Sequence, residues 1–188
     1  WDTEAFVLPV MAFTAPDVNQ LALADVSSPS TPERPIFVPF TVAVGPSFIA
    51  AIEIPGQQNS PLLDFYIGSI YNSPDPNLAT LLRNDGKAYP KLDEETLSGA
   101  PTKGNRFGSG PSGHDQLWLM LAGDKGDTLQ IQDLSSGKPA TAATLPCAAG
   151  SDYAAGQFGP GNDWYALLYK PGDAKLSATP IGKESGSA

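Results

Sequence analysis

Gln116-Leu-Trp-Leu-Met-Leu-Ala-Gly-Asp-Lys-Gly-Asp-Thr-Leu-Gln-Ile-Gln-Asp-Leu-Ser-Ser-Gly-Lys138 and Asp163-Trp-Tyr-Ala-Leu-Leu-Tyr-Lys-Pro-Gly-Asp-Ala-Lys-Leu176 decide the fold class. Each is a pair of short apolar runs, rich in Trp, Leu, Ile and Tyr, broken by a tight Gly/Asp/Pro turn. Runs of this length and composition, punctuated this way, read as β-hairpins. Gly123-Asp-Lys-Gly126 links the first pair, and Pro171-Gly172 suits the centre of a type II turn in the second.

Working outward, the same period-2 signal recurs. Strands are expected over Glu4–Phe13 (interrupted by Pro9), Val18–Val26, Ile36–Val44, Phe48–Ile54, Leu62–Ile70, Leu117–Ala122, Thr128–Leu134, Ala140–Leu145, Trp164–Lys170 and Lys175–Pro180. Between Tyr71 and Gly113 the signal fades. There Asp75-Pro76 followed by Leu78, Leu81 and Leu82 and closed by Gly86 fits a short capped helix. Lys91–Leu97 fits a further helical turn, and the five glycines of Gly99–Gly113 fit a long surface loop. The expectation is an all-β chain: an antiparallel β-sandwich or barrel of about nine or ten strands with one or two short helices.

The 188 residues suit one domain over 1–188, with 1–26 as a strand-bearing arm, the Pro-rich Ser27–Pro35 as a loop or hinge, and 182–188 as a frayed tail. Gly and Pro number 19 each, well above average usage, yet 41% of residues are hydrophobic, so these are turns of a folded protein rather than disorder. Eleven Lys and Arg against twenty Asp and Glu leave a net charge of −9, with no basic cluster to displace phosphate counterions. Nucleic acid is thereby excluded as a partner, and anionic membrane is disfavoured. No apolar run nears the ~20 residues of a membrane-spanning helix, so membrane insertion is not expected.

Side chains able to do chemistry are scarce. His114 is the single histidine, and neighbouring Ser109 and Ser112 lie in Gly108-Ser-Gly-Pro-Ser-Gly113, which lacks the strand–turn–helix setting of a nucleophile elbow. Cys147, the single cysteine, allows no intramolecular disulfide and has no cationic neighbour in sequence to lower its pKa. One His and one Cys do not make a structural zinc site. Asp124, Asp127 and Asp133 raise calcium, but lack the spacing of a calcium loop and are also what a hairpin turn needs. Asp93-Glu94-Glu95 reads as a solvated acidic run. The chain is therefore expected to have no cofactor, metal or catalytic residue, and not to be an enzyme. Tyr71, Tyr89, Arg106, Phe107, Tyr153 and Phe158 stand among Gly, Ser, Asn and Pro in the expected loops. Rigid aromatics among small polar residues suit a receptor-binding surface; the competing reading has each ring plug one end of the sandwich.

Asp115-Gln-Leu-Trp-Leu-Met-Leu121, Asp127-Thr-Leu-Gln-Ile-Gln-Asp-Leu-Ser-Ser-Gly-Lys138, and Trp164-Tyr-Ala-Leu-Leu-Tyr169 with Gly172 and Lys175-Leu-Ser177 together resemble the protruding spike domain of small non-enveloped RNA virus capsid proteins. Hepatitis E virus and astrovirus spikes are the nearest in pattern, with nodavirus and tetravirus-like protruding domains also similar. The resemblance covers about 60 residues. It implies a β-sandwich or barrel on the virion surface, forming a dimer or trimer with copies of itself and attaching to a host-cell receptor, protein or glycan. A secreted, lectin-like carbohydrate-binding sandwich is the alternative.

Overall fold

The computed structural model of the chain describes residues 7–15, 18–25, 36–39, 46–52, 64–69, 76–83, 90–107, 116–158 and 163–183. Among them the chain forms fourteen strands, every pairing antiparallel, and no helix. The all-β, sandwich-type architecture expected from the hairpin patterns is the one observed. Contacts divide the chain into two compact units, Trp1–Glu53 with Gln57–Leu97, and Ile54–Gly56 with Ser98–Ala188.

In the first unit, β1 (Val7–Ala15), β2 (Val18–Asp25) and β3 (Ile36–Pro39) form a three-stranded sheet in that order. A second sheet runs β4 (Pro46–Ile52), β5 (Asp64–Ser69), β6 (Leu78–Leu82), β7 (Lys91–Thr96). Phe65, Tyr66, Ile67, Leu81 and Leu82 are buried at its centre. Gly68 is opposite Phe48, whose ring lies where a Cβ at Gly68 would stand, and that ring stacks on Tyr66 at 6.2 Å between centroids. The absent side chain of glycine is what admits the aromatic here.

The second unit consists of two sheets. One is β8 (Ala100–Phe107), β9 (Gln116–Ala122), β10 (Asp127–Asp133) and β11 (Ala140–Cys147), in spatial order β11-β10-β9-β8; the other is β12 (Asp152–Phe158), β13 (Asp163–Tyr169) and β14 (Leu176–Lys183), in sequence order. Alternation along β9 sends Trp118 and Met120 to one face and Leu117, Leu119 and Leu121 to the other, and all five are 2% exposed or less. Trp118, Met120, Leu129 and Ile131 pack against Tyr153, Ala166 and Leu168 of the facing sheet, which makes the core of a sandwich. Full burial of each such side chain stabilises by roughly 1.5–3 kcal/mol relative to exposure. The Trp118 indole N–H donates to Gln116 Oε1 at 3.1 Å, so one buried polar group satisfies another.

Three expectations require correction. Where a short helix was expected between Asp75 and Gly86, Leu78–Leu82 is strand β6: the Leu78, Leu81, Leu82 spacing mimics a helical face because this strand lies between β5 and β7 and is buried on both sides, which erases alternation. The helical turn at Lys91–Leu97 is edge strand β7, whose charges keep the sheet edge from pairing further. The loop over Gly99–Gly113 is, as far as Phe107, edge strand β8; Pro101 is tolerated there because the register shifts between Pro101 and Lys103. Strand β12 was not anticipated. The two hairpin turns are as expected: Gly126 N–H donates to Gly123 O at 3.2 Å, and Asp173 N–H donates to Lys170 O at 2.9 Å with Gly172 at φ 94°.

Two predictions follow from the packing. Gly68→Ala should displace the Phe48 ring and cost about 1–3 kcal/mol in urea unfolding. Tyr153→Phe should keep the sandwich but remove the donor to a buried carbonyl (Tyr153 hydroxyl to Trp118 O, 2.7 Å), costing about 1–2 kcal/mol in the same assay. Near-zero effects would show that neither contact is under packing constraint.

Candidate recognition groove

The side of the second unit where β8 faces β12 is closed by side chains. Lys103 on β8 forms a salt bridge with Asp152 on β12 and lies 4.8 Å from the Tyr153 ring centroid. Asn105 Nδ2 donates to the Tyr153 hydroxyl at 3.3 Å, and that hydroxyl donates onward to Trp118 O. Phe107 packs on Trp118 at 4.8 Å and on Tyr153 at 6.3 Å between centroids. Burial pushes the Tyr153 phenol well above its usual range, so it stays a neutral donor.

Asp152 passes this order on to the end of the sandwich. Its Oδ2 accepts a hydrogen bond from the Tyr169 hydroxyl at 2.9 Å, across the register pair Asp152–Tyr169. Burial pushes the Asp152 carboxyl up, but the Lys103 ammonium, the Tyr153 amide and the Tyr169 hydroxyl outweigh it and hold the group below the usual carboxylate range. The same hydrogen bond, with Asp152's charge, raises the Tyr169 phenol. Tyr169 is thus fixed as a neutral ring, 37% exposed.

Beside it opens a groove of about 320 Å³, where β11 and β13 finish and β12 and β14 begin. Pro146, Leu168, Tyr169 and Leu176 supply its apolar surface, and Lys170, Asp173 and Lys175 its charges. Leu176 is 59% exposed, a large aliphatic side chain left in water. Tight turning at Pro171-Gly172 brings Lys170 and Lys175 to the same groove. Cys147 also borders it; burial, then the nearby Asp127 carboxylate, raise its thiol pKa, so the group is a neutral thiol and a poor nucleophile. Its sulfur lies 3.7 Å from Met120 Sδ. Asp127 itself accepts from the Gly150 amide at 2.7 Å, bracing the turn before β12, while Asp124 is exposed in the β9–β10 turn. Among the described residues no three His, Cys, Asp or Glu side chains converge as a metal site.

Of the six residues singled out in the sequence, the side chains of Arg106, Phe107 and Tyr153 are described. Arg106 is exposed on β8, and Phe107 is half-buried against Trp118. Tyr153 is 4% exposed, a core residue rather than a loop aromatic. Phe158 ends β12, and its side chain lies outside the described residues, as do Tyr71 and Tyr89. His114, Ser109, Ser112 and the 27–35 segment also fall outside them. Sequence reasoning missed Tyr169, Lys170, Lys175 and Leu176. The available signal was the alternation in Tyr165-Ala-Leu-Leu-Tyr169, which puts Tyr169 on the opposite face from core residues Ala166 and Leu168. In comparisons with known proteins, no family model matches the chain and no curated protein matches it.

Asp152→Asn tests the electrostatic bracing. Because the folded-state pKa is depressed, the carboxylate stabilises above its unfolded pKa and that stabilisation is lost as pH falls through the folded value. The variant should be about 1 kcal/mol less stable at pH 7, a modest figure because both partners are part-exposed, and the gap should close below about pH 4. Urea midpoints across pH measure it; a gap independent of pH would contradict the assignment.

Proposed function

We propose that the chain is a non-enzymatic recognition module, the surface-exposed protruding domain of a viral capsid protein that attaches the virion to host cells and associates with copies of itself. The observation that carries this reading is the groove beside Tyr169: it combines exposed Leu176 with a fixed aromatic ring, while the neighbouring Asp152, Asp127 and Cys147 are committed to structure. Asp152 is engaged by Lys103 and Tyr169, Asp127 by the Gly150 amide, and Cys147 is a neutral thiol. Exposed apolar and aromatic side chains beside satisfied polar ones suit binding by contact.

The all-β sandwich and the spike-like hairpins of β9–β10 and β13–β14 support the capsid assignment. The apolar sequence runs Glu4–Phe13 and Pro35–Val44, with more hydrophobic positions than one buried face needs, motivate the self-association. A secreted carbohydrate-binding module is the second reading, and the pinned, exposed Tyr169 is the observation that favours it.

Saturable binding of the labelled chain to cultured host cells, together with sedimentation velocity at micromolar concentration, separates the readings. The capsid reading predicts attachment and a dimer or trimer. A strict monomer that binds soluble polysaccharide but no cell surface would favour the carbohydrate module and count against the capsid role.

A further inference from the structure

We propose that the groove between Pro146 and Leu176 takes a sugar ring carrying a carboxylate or a sulfate. This rests on reading the chain as an attachment module and names the chemistry of its ligand.

The chain carries −9, so an anion approaches it against a general repulsion and needs a local exception. Of the described cations elsewhere, Lys91 pairs with Glu94, Lys103 pairs with Asp152, Arg106 and Lys138 have partners of their own, Arg83 is half-buried in the first unit, and Lys125 stands by itself in the β9–β10 turn. Lys170 and Lys175 stand together. Both line the groove, both are exposed, and neither forms an ion pair among the described residues. Against them the groove sets one carboxylate, Asp173. Two unpaired ammonium groups thus face one lining acid, with Asp127 beyond the bordering Cys147 and held by the Gly150 amide.

Tyr169 is held by Asp152, so its exposed ring loses little freedom when something stacks on it. Leu176 and Pro146 extend that apolar floor, and about 320 Å³ is near the lower bound for a small-molecule site. A bare inorganic anion would leave the tyrosine and leucine unused, and a purely apolar ligand would leave the two lysines unused. A charged pyranose uses both: its C–H face lies on the ring and its acidic group meets the ammonium groups. The two serines of the lining are already engaged: the Ser177 hydroxyl donates to Leu168 O at 3.3 Å, and the Ser151 side chain hydrogen-bonds the Cys147 sulfur.

Titration calorimetry with sialyllactose (carboxylate), a heparin-derived disaccharide (sulfate), lactose and an oligoglutamate peptide tests the proposal on the full chain. At least one charged sugar should bind, with lactose about tenfold weaker or undetected and affinity falling as salt rises. Lys170→Gln and Lys175→Gln, surface changes to be checked by unaltered unfolding, should each weaken binding by about three- to fivefold. Equal binding of lactose, tighter binding of oligoglutamate, indifference to both lysine variants, or no binding of either charged sugar would each overturn it. If the double variant still attaches to cells as the parent chain does, this site fails while the attachment reading stands. If the parent chain attaches to no cell, the attachment reading fails first.

Discussion

Tyr153 joins the two sheets of the second unit, and much of what surrounds the groove depends on it. Its ring packs among Trp118 and Phe107, and its hydroxyl donates to the Trp118 carbonyl while accepting from Asn105. A buried phenol with both functions engaged fixes the height and register of β12 against β9. The neighbouring residue, Asp152, is then placed between Lys103 on one sheet and Tyr169 on the other strand of its own sheet. The ring that floors the groove is therefore positioned by a chain of contacts that begins in the core.

This arrangement gives the sandwich two unlike sides. Where β8 meets β12, a salt bridge, a cation–π contact and a hydrogen bond lace the edges together. At the end where β11 and β13 finish, small and apolar side chains leave a depression instead. The edge strands carry the devices that discourage unintended pairing: Pro101 and Pro180 beside register shifts in β8 and β14, and the charges of β7.

The fold class was legible in the sequence because β9, β10, β13 and β14 carry strand-length apolar runs between turns that only a few residue types allow. Gly172 after Pro171 is the clearest case, since one dipeptide specified the turn type. Strands β6, β7 and β8 were illegible for separate physical reasons. Burial on both faces removed alternation from β6, protective charges made β7 look like a helix start, and glycine with proline made β8 look like a loop. The site was less legible than the fold. Aromatic residues were sought where glycine and proline cluster, yet among the described residues Phe107 and Tyr153 turned inward, and Tyr169 is exposed at a strand end. No local pattern announces that a tyrosine will be pinned by an aspartate seventeen residues earlier.

The account stands on recognition being centred at this one end of the sandwich. Backbone amide chemical shifts of isotopically labelled protein, followed while a charged saccharide is titrated in, test that most directly. The account predicts saturating shifts confined to residues 146–151 and 168–177. Shifts centred on Arg106, on the first unit, or on no residue at all would contradict it.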